Sequence, residues 1–207
     1  MKTTKILSIG ITLLIGHLVW ASESSSTMAI APQLGTAVFN IQGSGLSAKS
    51  GLLAGANFVY SPQGSAFSYE TGIDYIQAGA EKDFFFLKTE IKLEYIALPV
   101  FANWTFYKSQ QGMSSYYLKA GGLLTQLLSA KMNNQDFTGA SESTDIKSQV
   151  NQNDVLLSGG LGGKWTVYNT MQIGLEASYV KGLRDVMKEA SGKSEGFLLA
   201  SSVTIDL

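Results

Sequence analysis

The sequence predicts an all-β fold, an eight-stranded antiparallel up-and-down transmembrane β-barrel that follows a cleaved N-terminal signal peptide. Three observations carry that prediction. The chain opens on a short basic and apolar leader. Behind it, apolar and polar side chains alternate in segments of about ten residues, the length of a tilted membrane strand. The connections between these segments alternate between long and short.

Lys2 and Lys5 supply the leader's positive start, Ile6 to Trp20 its apolar run, and Val19-Trp20-Ala21 a cleavage site. Residues 1–21 therefore read as a signal peptide and 22–207 as one outer-membrane β-barrel domain. A spanning helix is the competing reading, but it needs about 20 apolar residues. Gly10, Gly16 and His17 interrupt this shorter run.

Strands are expected at 34–42, 51–61, 66–79, 91–106, 115–131, 154–168, 171–183 and 196–207. Ser61-Pro62-Gln63-Gly64-Ser65, Lys108-Ser109-Gln110-Gln111-Gly112 and Tyr168-Asn169-Thr170 read as short turns. The connections 43–50, 80–90, 132–153 and 184–195 are longer and polar. An outer-membrane barrel has this rhythm because short turns face the periplasm and longer loops face outside. The Greek-key crossovers of a sandwich give no reason for it.

Parity within the strands points the same way. In the third, Phe67, Tyr69, Thr71, Ile73 and Tyr75 share one face, and Ser68, Glu70, Gly72 and Asp74 the other. Tyr116, Leu118, Leu124 and Leu128 oppose Lys119, Thr125 and Ser129 in the fifth; Leu157, Leu161 and Trp165 oppose Ser158, Gly160, Gly162 and Lys164 in the sixth. Ile173, Leu175 and Tyr179 oppose Gly174, Glu176 and Ser178 in the seventh. The polar faces are expected to look inward. The fourth strand is apolar on both faces from Ile96 to Phe101, and Pro99 predicts a bulge or the loss of one ladder bond. Tyr60, Phe67, Tyr69, Trp104, Phe106, Tyr116, Trp165 and Tyr168 gather at the short-turn ends and are expected to form a periplasmic aromatic girdle. Core aromatics of a soluble β-protein are the alternative, although such a barrel would carry charge on its outward face.

Composition excludes several function classes. Removing 1–21 lowers the basic side chains from 15 to 13 against 16 acidic ones, a net charge of −3 that offers nucleic acid no attraction. Cysteine is absent, which removes disulfides, thiol chemistry and Cys-ligated metals. The one histidine, His17, falls in the leader, so the mature chain has no imidazole base and no histidine metal ligand. No catalytic residue, cofactor or metal site is expected.

Glu70, Lys119, Lys164 and Glu176 fall at similar heights on polar faces, with Asp74 just above them. An eight-stranded lumen holds side chains and no water channel, so these charges are expected to form an internal, structural network. A carboxylate pair tuned by lysine, or an ion gate, is the functional alternative. Lys82, Lys88, Lys181, Arg184, Lys188 and Lys193 are weaker candidates for lipid phosphates at the outer rim, offset by Glu81, Asp83, Asp185 and Glu189. Phe84-Phe85-Phe86 reads as part of a hairpin extending past the membrane, and the polar stretch 133–153 as a mobile loop. Gly159-Gly160-Leu161-Gly162-Gly163 lacks the Lys-Ser/Thr and helix of a phosphate loop, so close packing is its expected role.

Three segments carry a family resemblance: Gly51-Leu52-Leu53-Ala54-Gly55-Ala56, Leu93-Glu94-Tyr95-Ile96-Ala97-Leu98-Pro99-Val100 and Tyr117-Leu118-Lys119-Ala120-Gly121-Gly122. In them the mature chain resembles the small outer-membrane β-barrel domain family that includes the PorT-like proteins. Its Leu-Glu-x-Ile-x-x-Pro has residues inserted into the family's tighter Leu-Glu-Ile-Pro, and Val203-Thr204-Ile205-Asp206-Leu207 lacks the usual final aromatic. The resemblance implies a place in the cell outer membrane, contact with its lipid and insertion by the barrel-assembly machinery; it implies no chemistry. The expected function is a non-enzymatic barrel with a side-chain-filled lumen that anchors in the envelope and presents loops to an unknown partner. A narrow pore for small solutes is the main alternative, ahead of a lipid-acting enzyme and a soluble periplasmic carrier.

Overall fold

Strands with apolar outward faces cannot leave backbone groups unpaired in lipid, so they are stable there only as a closed ring. The computed structural model is such a ring. It describes residues 26–42, 45–84, 87–136, 141–168, 170–188 and 192–207; the expected leader, Phe85 and Phe86 lie outside them. The strands are β1 (Thr27–Ile41), β2 (Ser47–Ser61), β3 (Phe67–Phe84), β4 (Leu87–Lys108), β5 (Ser114–Asp136), β6 (Ser141–Asp145), β7 (Asn153–Tyr168), β8 (Met171–Asp185) and β9 (Lys193–Asp206). Eight of them pair antiparallel in the order β1-β2-β3-β4-β5-β7-β8-β9, and β9 returns to β1. The ninth, β6, adds to the far end of β5.

All eight expected strands are present, and the differences lie at their ends and in the added β6. β1 starts at Thr27 instead of 34, because Ala29, Ala31 and Pro32 give no apolar–polar alternation to read. Much of the expected long connections is strand: β3 and β4 run to Phe84 and Leu87, and β5 runs to Asp136 and then pairs with β6. Beyond the lipid both faces of a sheet meet water, so composition turns polar while backbone pairing continues. The described parts of 133–153 are correspondingly ordered against the barrel: Ile146 and Val150 are buried, and Val150 bridges to Met187.

Pro99 makes no bulge. Thr71↔Val100 and Asp74↔Ala97 keep one register, and the ladder lapses only between them, where proline offers no N–H. Pro32 does the same between Ile30↔Ile205 and Gln33↔Ser202 at the closing seam. In the short turns, Gly64 (φ 69°) and Gly112 (φ 68°) occupy the left-handed region that glycine enters without a Cβ clash.

The faces separate as parity requires. Outward-pointing Phe58, Ile73, Leu118, Leu161, Leu175 and Phe197 are exposed on the barrel wall, with Leu161 at 61%. The inward face corrects the expectation of a polar lumen. Its short-turn half holds most of the buried polar side chains, beside a small apolar cluster of Ala29, Ala31 and Val59; above that, Ala37, Phe39, Leu53, Ile76, Ala97, Phe101, Leu123, Leu156, Val180 and Leu198 form an apolar core. A second cluster, including Ile91, Leu93, Leu127, Ile146, Val150 and Val186, fills the long-loop mouth. A lumen sealed from water is stabilised by burying apolar area, as any protein interior is.

Candidate functional site

The polar half of the lumen is built by strand parity. Glu70 on β3, Lys119 on β5 and Glu176 on β8 point inward because their neighbours Tyr69, Leu118 and Leu175 point outward. These three strands do not adjoin one another, yet their side chains meet. Lys119 Nζ lies 2.9 Å from Glu70 Oε1, and 3.0 and 2.8 Å from Glu176 Oε1 and Oε2. The Phe101 ring centroid is 4.3 Å from the same ammonium. Lys119 is only 4% exposed, so its protons must find partners within the protein.

Each carboxylate has further donors. Asn57 Nδ2 donates to Glu70 Oε1 at 2.8 Å and Asn103 Nδ2 to Glu70 Oε2 at 3.1 Å. The Tyr117 hydroxyl donates to Glu176 Oε2 at 3.1 Å and the Ser178 hydroxyl to Oε1 at 3.0 Å. One lysine between two glutamates leaves an excess negative charge, which four neutral donors spread. Sequence reasoning missed these donors, although Asn57 and Asn103 carried a signal: asparagine is disfavoured in strands, and both occupy inward positions.

Asp74 and Lys164 stand apart from this triad. Asp74 accepts a bond from Gln33 Nε2 at 2.6 Å, while Lys164 Nζ lies 5.6 Å from the Tyr117 ring centroid. Among the described residues the ion pairs of the triad include neither.

Glycine makes the space. A Cβ on Gly72 would strike Asn57 Oδ1 and the Ala56 carbonyl, and one on Gly160 would strike the Ser178 hydroxyl and the Ala177 carbonyl. Gly162 makes room for the Tyr117 ring, and Gly55 for Asp74. The glycine run 159–163 is thus a packing device, with Gly160 and Gly162 turned inward while Gly159 faces open space.

On the outward face, Phe67, Tyr69, Trp104, Phe106, Tyr116, Trp165 and Tyr168 are exposed near the short turns, and Tyr60 is half-buried. Phe67 stands opposite Trp104, Tyr60 opposite Tyr69, and Tyr116 packs edge-on against Trp165 at 6.1 Å between centroids. Tyr107 joins them 5.8 Å from Tyr116, beside the register shift between Thr105 and Tyr107. Above these rings the outward face is mostly apolar up to Glu94, Gln126, Asn153 and Lys181. Strands tilted by about 40° rise about 2.5 Å per residue along the axis. From Tyr116 to Gln126 that is about 25 Å, the height of the apolar band on barrels that span outer membranes.

The outer rim is charged but largely balanced. Lys181 faces Glu195 and Lys193 faces Asp185 in register. Lys49 pairs with Glu81 at 3.9 Å and with Glu90, which lies 3.1 Å from Lys92.

A belt of this height fits a bilayer without naming one. The family model described as outer membrane protein beta-barrel domain matches residues 22–188. The chain belongs to that family. Among solved structures, Neisserial surface protein A (NspA) is similar at 14% identity and a TM-score of 0.55, with 88% of this chain and 99% of that one covered. OprG of Pseudomonas aeruginosa is similar at 10% identity and a TM-score of 0.48, covering 89% and 96%. Ail, the attachment invasion locus protein of Yersinia pestis, is similar at 13% identity and 0.44, covering 88% and 99%. No curated protein sequence matches. The chain is an eight-stranded barrel of the cell outer membrane in a Gram-negative envelope.

Proposed function

We propose that this protein is a non-enzymatic, non-conducting outer-membrane barrel that anchors in the envelope and presents its long-loop end outside, with residues 1–21 as an export signal. The observation that carries this reading is the filled lumen. The Glu70–Lys119–Glu176 triad crosses it at one level, and two apolar clusters occupy it above. Ion passage requires a hydrated path. Ile76, Leu123 and Val180 are each at most 1% exposed, which leaves hydrated ions no such path at their level.

The same geometry supports a structural role for the charges. A catalytic carboxylate needs a free lone pair aimed at substrate. Glu176 accepts four bonds and Glu70 three, from lysine, amide, phenol and hydroxyl donors. The aromatic rings near the short turns fit a periplasmic girdle, and the strand ends beyond Gln126 and Glu94 would stand outside the cell. Planar-bilayer recording tests the reading: the purified barrel should insert without stepwise conductance. Discrete, reproducible channel openings would overturn it in favour of a narrow pore.

A further inference from the structure

The strongest unassigned feature is the sheet above the apolar belt. There β3, β4 and β5 continue past the ring, and β6 pairs with β5 from Lys131↔Asp145 to Gln135↔Ser141. In the strand order β6 is terminal, with β5 as its one neighbour among the described residues. The sheet is braced rather than frayed. Lys49 on β2 ties Glu81 on β3 to Glu90 on β4, and the segment after β6 is pinned by Ile146 and Val150 in the mouth.

The open backbone groups can be assigned residue by residue. Ile146 N–H donates to the Ala130 carbonyl at 3.0 Å, which makes these two a hydrogen-bonded pair of the antiparallel ladder. Alternation then gives Thr144 and Glu142 to β5 and turns the N–H and C=O of Ser143 and Asp145 away from it. Glu142, Ser143, Thr144 and Asp145 are all exposed. Neither proline nor lysine guards this edge, and nothing covers it among the described residues.

We propose that the outer edge of β6 is a docking site for an extended, cationic peptide segment of a partner protein, which adds to the sheet as a further strand centred on Ser143. The backbone edge supplies hydrogen bonds, and charge selects the occupant. β6 carries Glu142 and Asp145 and no basic residue, with Lys131 opposite Asp145 on β5. A second copy of this chain pairing through the same edge would bring these carboxylates together, and like charges across strands are destabilising. The proposal rests on and deepens the reading that the barrel presents its long-loop end outside. It is tested on the purified barrel in micelles, where membrane orientation plays no part, so its failure is distinguishable from a failure of that reading.

The probe is a labelled peptide of alternating lysine and valine, read by fluorescence anisotropy against the refolded full-length barrel. Saturable binding is expected. Ser143→Pro removes the outward N–H and leaves the bonds of Glu142 and Thr144 to β5, so it should weaken binding at least tenfold while the barrel stays folded. Glu142→Gln should weaken it about threefold and flatten its salt dependence. Absence of saturable binding, or Ser143→Pro binding as tightly as the parent, would overturn the proposal. So would a concentration-dependent dimer abolished by Ser143→Pro, which would give the edge to a second copy.

Discussion

Replacing Lys119 by methionine keeps the aliphatic stem and removes the charge that holds two buried carboxylates. Contacts of 2.9, 3.0 and 2.8 Å are lost, and Glu70 and Glu176 are left facing each other. Removing one member of a buried ion pair costs about 3–5 kcal/mol, because the partner stays buried and uncompensated. Here Asn57, Asn103, Tyr117 and Ser178 still donate to the carboxylates, which places the expected loss at the lower end, about 3 kcal/mol. Adding Glu70→Gln to Lys119→Met removes one of the orphaned charges. The double variant should therefore lose about 1–2 kcal/mol less than the two single losses summed. Urea unfolding of the barrel in lipid vesicles, followed by the fluorescence of Trp104 and Trp165, measures each corner of the cycle. A single variant as stable as the parent, or a cycle additive to within about 0.5 kcal/mol, would refute the triad as a source of stability.

Gly72→Ala should destabilise the barrel by about 1–3 kcal/mol, since its Cβ meets Asn57 and the Ala56 carbonyl, whereas Gly159→Ala should change unfolding by less than about 0.5 kcal/mol because nothing lies within reach of its Cβ. The chain has no cysteine, so single cysteines report topology cleanly: a membrane-impermeant maleimide added to intact cells should label Ser148→Cys and spare Gln63→Cys. The reverse pattern would invert the orientation. If the aromatic rings mark a lipid boundary, lipids brominated near the headgroup should quench Trp104 and Trp165 more than lipids brominated at mid-chain; stronger mid-chain quenching would place the girdle elsewhere.

The strands were legible where one face met lipid and the other met the polar lumen, as in β3, whose Phe67, Tyr69 and Ile73 alternate with Glu70, Gly72 and Asp74. Legibility failed where both faces share a solvent. Ile96 to Phe101 on β4 hides its parity because lipid lies on one side and the apolar core on the other. Above the lipid, Asn133 to Asp136 and β6 look like loop because water lies on both sides. Part of the site was readable for the same reason: parity fixed Glu70, Lys119 and Glu176 as inward. Parity does not fix side-chain reach. Nor does it fix height: Lys164 shares the inward face, but the register sets it opposite Ser115, four residues nearer the short turn than Lys119, and its ammonium lies beside the Tyr117 ring instead of in the triad.

The glycine notches bear on how such a barrel changes over generations. Asn57 with Gly72, Ser178 with Gly160, Tyr117 with Gly162 and Asp74 with Gly55 are knobs and sockets on adjacent strands. A larger residue in a socket is tolerable only if its knob shrinks, so the polar lumen should diversify by coupled exchanges across the register. The lipid-facing wall, where one apolar side chain replaces another without a matching partner, is free to drift a position at a time. A closed sheet with one slow surface and one fast surface can hold its shape against a structure only 14% identical in sequence.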